Sequence, residues 1–174
     1  GRQFMNTKML AIATALIGAT LGMARPAQAV TISKPMLIDP AMACQLSLPT
    51  IDTAVRPRAT GYRNEGASGT FMICGTAYFS NSVNIATNLL LQMVAFDGAT
   101  HENVSCTAVN RQSAGGGEVF STKTTTVNAA GGSFSWVPAD LNNFNGFTNS
   151  VTCNVPPGVA VTAVRLVFPD DVGA

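Results

Sequence analysis

Nucleophilic catalysis by a serine or cysteine needs a base within hydrogen-bond reach, almost always a histidine. The 174-residue chain has one, His101, in a polar segment right after Asp97-Gly98. That placement reads as a solvated loop histidine. The spacing Gly-x-Ser-x-Gly, which would hold a serine on a strand-to-helix elbow, does not occur, and Gly66-Ala67-Ser68-Gly69 has the wrong spacing. Glycosidic chemistry can dispense with histidine if two carboxylates converge on a cleft and burial keeps one of them protonated. The nine acids are Asp39, Asp52, Glu65, Asp97, Glu102, Glu118, Asp140, Asp170 and Asp171. Nearly all stand in turn-like stretches, where solvation is the ordinary state. The run Asp140-Leu141-Asn142-Asn143-Phe144-Asn145-Gly146 has the composition of a calcium loop. It fails the spacing, because Phe144 falls where an oxygen ligand is needed and no glutamate closes the loop. An Asn-rich turn tolerant of left-handed backbone is the reading it supports. No catalytic residue, metal site or cofactor is expected.

Binding chemistry is better represented. Phe144 and Phe147 sit amid Asn and Gly, and aromatic rings there can stack on a sugar or anchor a protein partner, because they supply apolar area at small entropy cost. Core packing is the equal alternative for this pair, and the favoured one for Phe134 and Trp136. Arg56-Pro57-Arg58 with Arg63 concentrates cations whose forks suit an anion or a glycan carboxylate, against the plainer reading of salt bridges to neighbours such as Glu65. Thr122, Thr124 and Thr126 project from one face of a strand, an arrangement that suits a repetitive surface but also follows from threonine's preference for strands.

The four cysteines are Cys44, Cys74, Cys106 and Cys153. Metal ligation is a poor account of them, since no Cys-x-x-Cys pair exists and His101 has no second ligand beside it. Two disulfides are expected. Four cysteines allow three pairings, which sequence alone does not resolve; expected strand neighbours lean towards Cys44 with Cys74 and Cys106 with Cys153.

These groups need elements to position them, and the first 29 residues are set apart from those elements. Met5 to Lys8 forms a short positive region, Met9 to Gly22 an uncharged apolar run, and Ala27-Gln28-Ala29 a small-residue cleavage site. This is the pattern of a signal peptide cut after Ala29. The run is too short for a membrane-crossing helix, which takes about 20 residues, and no cysteine follows the cut to carry a lipid. Gly1 to Phe4, ahead of Met5, are left out of the fold. The expected division is therefore 1–29 as upstream residues and leader and 30–174 as one domain, periplasmic or secreted, with no membrane span after cleavage. Loss of Arg2, Lys8 and Arg25 leaves seven basic against nine acidic side chains. That balance argues against nucleic acid or an anionic membrane as the principal partner.

Beyond residue 30, Gly, Pro, Asn, Ser and Thr interrupt the chain every 8 to 12 residues, the rhythm of short strands and turns. Strands are predicted over 70–77, 89–96, around 104–109, over 119–127, 133–137, 151–155 and 159–168. The segments 119–127 and 133–137 form a predicted hairpin about Ala130-Gly131-Gly132. Within the last strand Thr162, Val164, Leu166 and Phe168 are placed on one face. Residues 82–93 also carry a helical spacing, so a short helix is an alternative there. Residues 30–43 read as a loosely attached arm and 169–174 as an exposed acidic tail. The fold class is all-β, a single antiparallel β-sandwich of jelly-roll-like form.

The order Cys44-Gln-Leu-Ser-Leu-Pro-Thr, Arg56-Pro-Arg-Ala-Thr-Gly-Tyr-Arg-Asn-Glu, Phe71-Met-Ile-Cys74, Val104-Ser-Cys-Thr and Cys153-Asn-Val-Pro-Pro-Gly158 resembles a group of small exported bacterial proteins. They share a leader, cysteines on successive strands and a closing Cys-x-x-Pro-Pro-Gly element. The resemblance covers nearly the whole domain, implies export and a disulfide-bonded β fold, and implies no activity. The function expected is non-enzymatic binding of a glycan or protein through Phe144, Phe147, Arg56, Arg58 and Arg63. A structural or assembly subunit of the cell surface is the alternative and a carboxylate-dependent hydrolase the third.

Overall fold

The computed structural model describes residues 30–51, 54–77, 86–111, 117–144 and 148–172. The predicted leader lies outside them. The described chain is a two-sheet antiparallel sandwich of jelly-roll-like form. Its strands are β1 (Thr31–Ile38), β2 (Cys44–Leu46), β3 (Val55–Arg58), β4 (Gly61–Asn64), β5 (Thr70–Ala77), β6 (Asn88–Ala95), β7 (His101–Arg111), β8 (Glu118–Val127), β9 (Gly132–Trp136), β10 (Thr148–Val155) and β11 (Val159–Asp171), with a single-turn helix α1 (Pro40–Ala43).

One sheet has six strands in the order β3-β4-β11-β6-β9, with β1 also paired to β11; the other has five, β2-β5-β10-β7-β8. From β4 to β7, and again from β8 to β11, successive strands change sheet, so each layer can present one apolar face to the other. Leu89, Leu91 and Met93 of β6 meet Val161, Val164 and Leu166 of β11 in the six-stranded layer. Met72, Val104, Ala108, Val151 and the four cysteines fill the facing layer. Phe134 and Trp136 are buried between the layers with their rings stacked at 6.0 Å, as the core-packing reading requires.

The disulfides are Cys44–Cys74 and Cys106–Cys153. Each joins directly opposed residues of neighbouring strands, β2 with β5 and β7 with β10.

Several local expectations are corrected. The turn at Asn128–Gly131 is real, with the Gly131 and Ala95 amides donating to the Asn128 carbonyl at 2.9 and 3.0 Å. Yet β8 and β9 belong to different sheets, so it is a corner between layers and no hairpin. Gly132 is required there, since a Cβ would lie 2.6 Å from the Thr126 carbonyl oxygen. Residues 31–38 are no loose arm: β1 pairs with β11 over eight positions from Thr31–Asp171 to Ile38–Val164. Its hydropathic alternation is weak because only Met36 and Ile38 pack against the core, and the ladder supplies the rest. The same pairing turns the expected tail into strand as far as Asp171, where Lys34 forms an ion pair with Asp170. Residues 88–95 are strand, which settles the helical alternative for that part; 82–85 lie outside the described residues.

The long strand β11 also changes phase. Its register against β6 shifts between Val161 and Ala163, so that Thr162 is an extra residue. Such a bulge lets Val161 and Val164, three apart, both face the core, and it turns Thr162 away from the face shared by Val164, Leu166 and Phe168. At the Pro156-Pro157-Gly158 turn, Asn64 acts as a buried clasp. Its Nδ2 donates to the carbonyls of Ser68 and Val155 at 2.8 and 2.9 Å, while its Oδ1 accepts from the Gly66 amide at 2.9 Å.

Candidate functional site

The residues picked out by sequence do not assemble into one site. Phe144 is fully buried, held with Leu141 beneath the loop after β9, so its ring is not offered to a ligand. Backbone φ angles of 47°, 58° and 51° at Asn142, Asn143 and Phe144 turn the chain inward there, as an Asn-rich turn allows. Phe147 lies outside the described residues. Arg58 is engaged: its Nε and Nη2 donate to the two carboxylate oxygens of Glu65, each at 2.7 Å. Arg56 is exposed and stands directly opposite Arg63 in the ladder. The Arg63 guanidinium lies 5.0 Å from the centre of the Phe96 ring.

The described carboxylates are spread around the rim. Asp97 bonds His101 Nε2 at 2.9 Å, and Glu118 pairs with Arg111 at 2.7 Å. The Asp97 carboxyl is held below its ordinary value chiefly by the Ala99 amide, with His101 adding to it. Asp140 accepts from Lys123 Nζ at 2.7 Å and from the Val137 amide at 2.9 Å, and these donors lower its pKa. Lys123 also donates to the Ser135 carbonyl at 2.7 Å. No group of three His, Cys, Asp or Glu side chains converges among the described residues.

What the fold does assemble is the outer face of the five-stranded sheet. Because the cysteines and Met72 point inward, the alternation of a strand sends Phe71, Ile73 and Gly75 of β5 outward. On β8 the same rule sets Phe120 on one face with Thr122, Thr124 and Thr126. Phe71 is 53% exposed and Phe120 62% exposed. Ladder register lines up Ile73, Thr152, Thr107 and Thr122 across four strands, and Gly75, Ser150, Val109 and Phe120 in the next outward row. The Thr107 and Thr122 hydroxyls bond each other at 2.8 Å, and nothing lies within 4 Å above Gly75.

Phe71 and Phe120 are three strands apart and one ring is four residues further along, a diagonal of about 20 Å at strand spacings of 4.8 and 3.3 Å. Between them lie hydroxyl, amide and small apolar side chains. Among the described residues one ion pair lies on this face, Arg111–Glu118 at its end. Sequence reading passed over both rings, although Phe120 shares the parity of Thr122, Thr124 and Thr126, which it had placed on one face; Cys74, opposite in parity to Phe71, had been given no direction.

Comparison with known proteins gives no matching family model and no matching curated protein. Solved structures of similar outline include a xylan-binding module, 10% identical, covering 81% of this chain and 97% of that one with a TM-score of 0.42. A family 35 carbohydrate-binding module from Clostridium thermocellum is 14% identical, with 78% and 98% covered and a TM-score of 0.42. A family 11 module from Clostridium thermocellum, in complex with a mixed-linked tetrasaccharide, is 8% identical, with 83% and 91% covered and a TM-score of 0.39. Identities and scores of this size leave function to be argued from the faces of this chain.

Proposed function

We propose that the protein is an exported binding module, without catalytic action of its own, that takes a neutral glycan on the outer face of the five-stranded sheet. The observation that carries this reading is the pair of exposed phenylalanines on a face otherwise made of hydroxyls, amides and small side chains. A pyranose has an apolar C–H face and a rim of hydroxyls. Aromatic rings stack on the first and Thr, Ser and Asn side chains bond the second. A face without unpaired charge has nothing to favour an ionised ligand. Two disulfides support export, since such bonds persist in oxidising compartments. No helix among the described residues is long and apolar enough to cross a membrane.

Affinity electrophoresis of the purified protein through gels containing xylan, mannan, galactan or mixed-linked glucan tests the reading. Retardation by at least one neutral polymer is expected, with F71A and F120A each weakening it about tenfold, the size of one well-placed aromatic anchor. Equal retardation of the double variant, or free migration through every neutral polymer, would overturn it. The assembly-subunit reading needs an open strand edge. The long edge of β8 is covered where Trp136 Nε1 donates to the Ser121 carbonyl at 3.0 Å, and the β3 edge carries Pro57.

A further inference from the structure

The opposite, six-stranded face contains a break of a different kind. β4 pairs with β11 only at Ala160 and Val161, and β1 takes over only from Val164. Thr162 and Ala163, the bulge residues, therefore have no strand partner on that side. A notch of 420 Å³ opens there, lined by Leu37, Ile38, Asp39, Pro40, Thr60, Gly61, Thr162 and Ala163 among others. Its volume is that of a small-ligand pocket. A second hollow of 310 Å³, walled by Gln92, Gly131 and Ser133, shares Thr162 with it. At the edge of the notch Gly61 lets β4 approach β11 closely: its φ is +131°, and a Cβ would stand 2.2 Å from the Val161 carbonyl oxygen.

Arginines flank this opening. Arg63 is two residues beyond Gly61 on β4, and Arg165 two beyond Ala163 on β11 and opposite Leu37 of β1, so both share the outward face with the lining residues. Neither has an acidic partner among the described residues, and the buried Nε of each has no acceptor. Arg56 stands beyond Arg63, with no carboxylate partner among the described residues. The ladder puts Arg63 and Arg165 about 14 Å apart at the backbone.

We propose that this notch binds an acidic polysaccharide, with carboxylates of two sugar units taken by Arg63 and Arg165 and the ring of the unit between them seated over Thr162. This goes beyond the neutral-glycan reading and does not depend on it. Two guanidiniums without a described carboxylate partner, that of Arg63 resting on the Phe96 ring, flank a hollow and match a repeating polyanion better than one small anion, which could reach only one of them. Guanidinium forks hold carboxylates through paired hydrogen bonds. Thr60 and Thr162 offer hydroxyls, and Leu37 and Pro40 an apolar wall for a ring face, while the Asp39 carboxylate, also in the lining, accepts from the Ala41 amide at 2.8 Å. Three cations are too few for a nucleic-acid site, where tight binding uses about 6–10 phosphate contacts.

The experiment is titration of the purified protein with polygalacturonate, its fully methyl-esterified form, dextran sulfate and duplex DNA, at low and high salt. Binding of polygalacturonate, at least tenfold weaker for the ester and lost in 0.5 M NaCl, is expected. R63Q/R165Q should reduce it at least tenfold while leaving the melting temperature in place. Dextran sulfate binding as tightly as polygalacturonate would assign the acid as sulfate as readily as carboxylate and so overturn the carboxylate assignment. Indifference to esterification, tighter binding of DNA, or an unchanged double variant would overturn the proposal. The ester and salt comparisons use the unaltered chain, so they decide even if a variant fails to fold. A neutral polymer that still binds R63Q/R165Q keeps this outcome separate from that of the phenylalanine face.

Discussion

Lys123 and Asp140 show how single side chains close the open side of the sandwich. Alternation directs Lys123 inward from β8, opposite to the threonines beside it, and its ammonium reaches both the Ser135 carbonyl of β9 and the Asp140 carboxylate. Because the Lys123 ammonium and the Val137 amide donate to Asp140 and hold its pKa below the ordinary 3.8, the contact stabilises the folded chain above that pH. Its contribution is lost as pH falls through the lower folded value. Asp140→Asn should therefore melt below the native protein at pH 7, with the gap closing as pH drops under about 4. Thermal melts over pH 2–7 check this, and a gap independent of pH would show that the carboxylate charge is not what matters. With the two side chains 35% and 24% exposed, the effect should be a few degrees at most. At this scale the sequence was legible where parity could be anchored. The threonine row carried the information that places Phe120 outward, though it went unread, whereas Phe71 had no anchor, since Cys74 was given no direction. Phe144 was not legible, because its burial depends on three consecutive left-handed residues that pattern alone does not reveal.

At the scale of elements, the five-stranded sheet is held by more than its ladders. The three-residue strand β2 is too short to stand on hydrogen bonds alone, and the bond from Cys44 to Cys74 fixes it to β5. Cys106–Cys153 joins β7 to β10 beneath the proposed glycan face. The bridges span 30 and 47 residues, and chain-entropy reasoning assigns about 4 kcal/mol to each. Replacing Cys106 and Cys153 by alanine should lower the melting temperature by roughly 10–15 °C at the usual 3–4 °C per kcal/mol for a domain of this size. It should also weaken neutral-glycan binding, because Thr107 and Thr152 stand one residue from the bridged positions. Differential scanning calorimetry beside the electrophoresis reads both, and a variant that melts normally would show that the ladders alone hold the sheet. Strand positions were largely legible because turn residues punctuate them. Layer membership was not: β8 and β9 look like a hairpin, since a two-residue ladder and a corner use the same Asn and Gly signals. The ordered β1 was hidden because it stands on ladder bonds to β11, more than 120 residues away.

For the whole molecule the decisive feature is that the two candidate surfaces lie on opposite outer faces of a two-layer sandwich. The layers are spaced about 10 Å apart, so neither ligand blocks the other. One face is aromatic, its Arg111–Glu118 pair self-neutralised; the other gathers Arg56, Arg63 and Arg165. Binding to the first should be nearly indifferent to salt, whereas binding to the second should fall steeply with it, because screening shortens the reach of charge to about 8 Å at physiological ionic strength. On the two proposals together, a single chain would join two kinds of polymer without any need to dimerise. Mixed with an insoluble neutral polysaccharide and soluble polygalacturonate, the native protein should carry the soluble polymer into the pellet at low salt. F71A/F120A should abolish this by detaching the protein from the solid. R63Q/R165Q should leave the protein in the pellet and the polyuronate in solution, as should 0.5 M NaCl with the native chain. Co-sedimentation surviving either double variant would mean that one face binds both polymers, and the division of the molecule into an uncharged side and a cationic side would have no functional meaning.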